Sequence, residues 1–217
     1  MARPAAVPLA SEREPRGARR KRETRSRLLA AALRLMAEKG VEGVAVNEIT
    51  EAADVGFGSF YNHFESKEAI YRAVVDSVFE EFADRLDALL ANVEDPAEIV
   101  AVSVRHTLVR AKKEPEWGAF LVREGFSMRS VDSGLGRRLL RDIKKGIAAG
   151  RFSNGDPFMR FVAVSGTVLA SIAAASTDAH RFSTRHFPER CAAMVLQSLG
   201  VDPLEANEIA RRTLPRA

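Results

Sequence analysis

The chain has 217 residues, 46% of them apolar and 29% charged, a composition that suits a globular protein with one large or two small cores. A single cysteine, Cys191, excludes an internal disulfide and a multi-cysteine metal site and fits a reducing, cytoplasmic setting. The net charge is only +4, but residues 1–27 carry nine basic and three acidic side chains, which leaves −2 for the remaining 190 residues.

The basic N-terminus lacks the continuous apolar stretch of a secretion signal. Residues 1–20 read as a disordered basic arm. The part from Arg19 to Arg25, which includes Arg22 and Thr24, sits where a phosphate-binding arm would precede a DNA-reading unit. Leu28, Leu29, Ala32, Leu35 and Met36 then share one face of a helix predicted over 23–39 and stopped by Gly40. A short helix is predicted over 46–53, halted at Asp54-Val55-Gly56, and another over 57–64 with Phe60 and Phe64 four apart. Ser66 reads as the N-cap of a long helix to about 92, with Ile70, Val74, Val78, Phe82 and Leu86 on one stripe. Asp95-Pro96 opens the next helix, to about 113, where Pro115 stops it. Further helices are predicted over 117–126, 133–150, 158–176, 188–199 and 203–212. No strand-like alternation occurs, and no unbroken apolar run of roughly eighteen residues predicts a membrane span.

Two short helices joined by a tight turn form the helix-turn-helix unit, whose second helix lies in the DNA major groove. With Phe60 and Phe64 turned into a small core, Ser59, Asn62 and His63 must face away from it. The segments Ala37-Glu38-Lys39-Gly40, Ile49-Thr50-Glu51-Ala52-Ala53-Asp54-Val55, Gly58-Ser59-Phe60-Tyr61-Asn62-His63-Phe64 and Ser66-Lys67-Glu68 together resemble the TetR (tetracycline-repressor) family of bacterial transcription regulators. The resemblance covers about 45 residues; beyond residue 75 it is only architectural. Two positions depart from the family pattern: Ala45 and Gly56 stand where hydroxyl residues usually cap the second and third helices.

The resemblance implies an all-α fold: an N-terminal three-helix helix-turn-helix DNA-binding domain (21–66) followed by a larger helical ligand-binding and dimerisation domain (67–217). It assigns Tyr61, His63 and Lys67 to phosphates, and leaves base edges to Phe57, Gly58, Ser59 and Asn62, with help from Asn47. Arg22, Thr24 and Arg25 complete the candidate DNA contacts. The recognition helix itself carries no Arg or Lys, so affinity should lean on the arm.

In the body, His106, Trp117, Phe120, Arg123, Phe126, Phe161 and Ser165 are candidates for a pocket that takes a small, hydrophobic effector. The small residues Ala163, Gly166, Ala170 and Ala174, with Cys191, Val195 and Leu199 on a neighbouring helix, are candidates for a dimer interface. Catalysis finds no support. Gly56-Phe57-Gly58-Ser59 lacks the context of a phosphate loop, His180, His186 and Asp178 lack metal-ligand spacing, and Cys191 reads as a small buried hydrophobe. The resulting expectation is a homodimeric repressor, without cofactor or metal, that binds a palindromic operator in double-stranded DNA and is released by its effector. The competing expectation is a DNA-binding regulator with no small-molecule ligand, controlled by a partner or acting as an activator.

Overall fold

A computed structural model describes residues 15–126, 132, 134–177 and 186–215. Arm residues 1–14, Asp178 and His180 lie outside these described residues. Helices and turns account for all of the regular structure among them.

The first helix, α1 (Arg16–Lys39), begins seven residues earlier than predicted. Residues 16–20, expected in a disordered arm, are its first turns. The run Arg19-Arg20-Lys21-Arg22-Glu23 is rich in helix formers, and Arg19 Nε donates to Glu23 Oε1 at 2.7 Å one turn on. Then follow α2 (Val46–Ala52) and α3 (Phe57–Phe60). The latter is shorter than predicted, but hydrogen bonds from the amides of His63 and Phe64 to the Phe60 carbonyl carry its curl onward to Phe64. Leu28, Met36, Ile49, Phe60 and Ile70 are all fully buried and hold the three helices on α4 (Lys67–Val75). Ser66 caps α4 by accepting from the Ala69 amide.

The predicted long helix from Ser66 is interrupted. A π turn at Asp76–Glu80 separates α4 from α5 (Glu81–Leu89). One extra residue in the turn buries both Val78 and Phe79, and the inward stripe resumes at Phe82, Ala83 and Leu86. Next come α6 (Pro96–Lys113), α7 (Pro115–Gly125), α8 (Gly134–Ala148), α9 (Pro157–Thr177), α10 (Phe187–Ser198) and α11 (Pro203–Arg211). Asp95 and Asp202 each accept from backbone amides in the first turn of the Asp-Pro helices they precede.

Around α6 and α9 the body closes. α9 packs on α6, α7, α8 and α10, while α10 packs on α6 and α11. Two arginines bind distant segments: Arg105, nearly buried, donates to the Arg212 carbonyl and to Glu189, and Arg151 joins Asp95 to Glu205. α9 has 21 residues and a mean hydropathy of 1.7 over its most apolar window, enough by length and composition to cross a membrane. The sequence expectation, which counted unbroken apolar runs, passed over it because Ser, Thr and Gly interrupt the run. Here one face of α9 is core and the other, with Met159, Val162, Ala163 and Ala170, is exposed.

Candidate nucleic-acid interface and effector cavity

Burial of Phe60 at 0% and Phe64 at 5% fixes the roll of the second helix-turn-helix element. Phe57 and Tyr61, one turn apart, are driven outward and are more than half exposed. Their rings meet edge to face at 5.6 Å, and Tyr61 also meets Phe60 at 5.3 Å, so the phenol is braced while its hydroxyl stays in solvent. Gly58, Asn62 and, at the start of α2, Asn47 are exposed; Ser59 is half-buried.

Glu48 takes over part of the missing cap at Ala45. Its carboxylate accepts from the Ala45 amide at 2.9 Å and from Lys39, which together hold it below the usual carboxylate range, the Lys39 hydrogen bond acting most. The turn itself is closed by Asp54, in the left-handed region at φ 51°, with its carbonyl accepting from Arg27 of α1 at 3.3 Å.

Basic groups of α1 lie alongside this face. Arg25 stacks over Phe64, 4.8 Å from the ring centroid. Thr24 is half-buried and Arg22 exposed. His63 is half-buried, and its Nδ1 makes no hydrogen bond among the described residues. Burial, with Lys21 and Arg25 nearby, pushes its pKa down. Lys67 donates to the Val41 carbonyl at 3.2 Å, so it ties the α1–α2 loop to α4 as well as standing at a helix N-terminus. The structure thus gathers Tyr61, Asn62, Ser59 and Phe57 at one end of the head, with the basic flank of α1 beside them.

Among the described residues, the body holds an apolar cavity of about 120 Å³. Phe79, Leu86, Val104, Leu121, Phe161 and Leu169 contribute its walls. Its polar part was not expected from sequence: Asp87 on α5, Ser103 and Thr107 on α6, Arg138 and Asp142 on α8. Arg138 Nε donates to Asp87 at 2.6 Å, and Arg141 bridges Asp87 at 2.9 Å and Asp142 at 2.8 Å. Burial opposes ionisation of Asp87, but the hydrogen bonds from Arg141 and Arg138 outweigh it and leave the carboxyl below its ordinary range. Asp142 is only 8% exposed, a carboxylate in a mostly apolar wall.

Of the seven pocket candidates, Phe161 and Ser165 line this cavity. The other five lie elsewhere. Trp117 and Phe120 are core residues, the indole edge-on to Phe82 at 5.0 Å and under the Arg110 guanidinium. His106 is half-buried near the backbone at Pro215, Phe126 is 67% exposed, and Arg123 reaches from α7 to the end of α1. Among the dimer candidates, Ala163 and Ala170 are exposed and Gly166 and Ala174 half-buried. Cys191, Val195 and Leu199 are buried inside the protomer at 4%, 1% and 0%, while Met194, 53% exposed, is the apolar residue α10 presents to its surface.

Residues 28–74 match the family described as "Bacterial regulatory proteins, tetR family", and residues 95–212, more than half the chain, match "Tetracyclin repressor-like, C-terminal domain". The chain belongs to the TetR family. Members of this family are DNA-binding transcription regulators of helix-turn-helix type. The crystal structure of RolR in complex with resorcinol is 36% identical, covers 92% of this chain and 98% of that one, and superposes with a TM-score of 0.67. A putative TetR-family regulator from Shewanella sp. PV-4, 22% identical over 81% of this chain and 97% of its own, gives a TM-score of 0.69 and shares the fold. By sequence, the transcriptional repressor DhaR of Mycobacterium sp. strain GP1 is 39% identical over 72 residues, 33% of this chain and 36% of DhaR. An uncharacterized regulator of Mycobacterium tuberculosis is 31% identical over 48% of this chain. This chain spans about a third to a half of the length of such curated relatives.

Proposed function

We propose that this TetR-family chain is a repressor that binds a palindromic operator as a homodimer and is released by a single-ring, hydroxylated aromatic effector. In this reading Tyr61, His63 and Lys67 hold phosphates. Phe57, Gly58, Ser59 and Asn62 face base edges with Asn47, and the α1 segment with Arg22, Thr24 and Arg25 runs along the backbone. One head reads too few base pairs for a genome, whereas two related by a twofold axis read paired half-sites. The exposed face of α9, with Met159, Val162, Ala163 and Ala170, extended by Met194 of α10, suits the dimer contact.

The observation that carries the effector reading is the cavity's size and chemistry. At about 120 Å³ it is near the volume of a cavity known to hold benzene. A hydroxyl aimed at Asp142 has a buried carboxylate to donate to, one aimed at Asp87 a partly exposed one, and the Arg138 guanidinium offers a donor in return. The RolR complex with resorcinol, a dihydroxybenzene, adds support from a relative. Calorimetry with resorcinol, catechol, benzene and decanoate tests it. Saturable binding of a dihydroxybenzene, reduced at least about tenfold in Asp142→Asn, is expected. Failure of every single-ring compound would overturn this effector class.

A further inference from the structure

Helix α1 ends at Gly40, which adopts φ 76°, and its last carbonyls lack helical partners. Arg123 of α7 supplies them. Its Nε donates to the Ala37 carbonyl at 3.2 Å and its Nη2 to the Glu38 carbonyl at 3.1 Å. A side chain at Gly40 would crowd the same guanidinium at 3.1 Å. The charge also sits where the α1 dipole favours a cation. On the next residue, Glu124 accepts from the hydroxyl of Tyr71 on α4 at 2.7 Å. Two adjacent side chains of α7 therefore grip both helices that anchor the head.

The same helix forms part of the cavity wall. Leu121 and Gly125 line it, as does Leu169 of α9. At Gly125 the fit is close: a Cβ there would stand 2.8 Å from the end of the Leu169 side chain. A ligand that displaces Leu169 from within the cavity would bear on α7 at this contact, and through α7 on the guanidinium that caps α1.

We propose that Arg123 is the positioning residue that transmits the state of the cavity to the DNA-reading head, by carrying displacement of α7 to the C-terminal turn of α1. This rests on the proposed function only in taking occupation of the cavity as the natural trigger. A small cavity ligand has little leverage on the head by direct contact; α7 spans the gap with one side on Leu169 and the other on α1. Coupling runs through one jointed element with hydrogen bonds at its far end.

A double-mutant cycle tests this without any ligand. Gly125→Ala loads α7 from the cavity side, and Arg123→Gln removes the paired donors. Hydrogen exchange at residues 36–42 and anisotropy against DNA from upstream of the protein's own coding sequence are read in all four proteins. Gly125→Ala alone is expected to speed exchange at 36–42 and weaken DNA binding about tenfold, within the usual range of coupling between sites. On the Arg123→Gln background it should add less than about twofold in either readout, because the linkage is already cut. Multiplicative effects, or no effect of Gly125→Ala on exchange in the parent, would overturn the proposal. Should Gly125→Ala not fold, Gly118→Ala serves in its place, since its Cβ meets Ala111 of α6 at 3.0 Å and loads α7 from the other side. If the parent does not bind the chosen DNA, the operator assignment fails, and exchange at 36–42 alone decides the role of Arg123.

Discussion

Arg27 of α1 donates to the backbone carbonyl of Asp54, the residue that turns the chain between the two helices of the helix-turn-helix at φ 51°. The hydrogen bond uses the carbonyl and survives exchange of the Asp54 side chain, which loses only an exposed ion pair to the same Arg27 at 3.8 Å. An L-residue in the left-handed region is strained by roughly 1–2 kcal/mol, less for Asp than for branched side chains. Asp54→Gly should therefore leave stability within about 1 kcal/mol of the parent or above it, while Asp54→Val should cost about 1–2 kcal/mol. Urea unfolding checks both; a Gly variant as unstable as Val would show that the side chain matters and the φ angle does not.

Stability should fall on mild acidification. His106 is held below its ordinary pKa mainly by burial, with Arg105 and Lys113 adding to the effect against a hydrogen bond at Pro215. His63 is shifted the same way. A histidine depressed in the folded state is neutral in both states at high pH, and the unfolded chain takes up the proton first as pH falls past about 6.5. The native state thus loses stability from about pH 6.5 downward. His106→Gln should flatten that decline in thermal melts between about pH 7 and 5. An unchanged slope would assign the decline to other groups.

The helical start of α1 refines what the basic arm does. Residues 16–22 are ordered in the helix and bring Arg19, Arg20, Lys21 and Arg22 beside the head, so deleting them should weaken DNA binding strongly and flatten its dependence on salt. Deleting residues 1–15 alone should do much less. A salt titration of both truncations checks this, and equal losses from the two would move the electrostatic role into the extreme N-terminus.

The proposed partner contact through the outer face of α9 predicts opposite outcomes for exposed and buried positions. Ala170→Glu or Met194→Glu should raise the monomer fraction in sedimentation, because each places a charge on the exposed apolar face. Cys191→Ser should leave the assembly intact, since the thiol is buried within one protomer beside Ser171 and burial pushes its pKa up, which also makes it slow to react with thiol reagents. A dimer broken by Cys191→Ser and untouched by the two charge variants would reverse the assignment of faces.

The head was legible in the sequence because its signals are local. Phe60 and Phe64 set a face, Gly40 and Ser66 mark helix ends, and a tight turn is compatible with few chain paths. The body was legible as helices but not as a site. Asp87, Arg138 and Asp142 come from two helices about fifty residues apart, and on sequence each reads as an ordinary solvated charge in an amphipathic helix. A hint was present: Arg138 and Asp142 lie four apart, next to the Leu135–Leu139 stripe of α8, too near the inward face to be wholly solvent-directed. Trp117 and Phe120 are ambiguous on sequence, since large aromatics mark any well-packed core as readily as a pocket, and both are buried in the core. The π turn had no periodic signature, because Val78 and Phe79 fit an uninterrupted helix equally well on paper.

The measurement that bears most directly on the regulator as a whole is fluorescence anisotropy of DNA from upstream of the protein's own coding sequence, with the parent and Tyr61→Ala, in the presence and absence of resorcinol. Tyr61 is 52% exposed, so its removal should spare the fold. Salt-sensitive binding of about nanomolar strength, lost in Tyr61→Ala and weakened at least about tenfold by resorcinol, is expected of an effector-released repressor. Binding that Tyr61→Ala leaves intact and resorcinol does not change would contradict both the reading face and the effector.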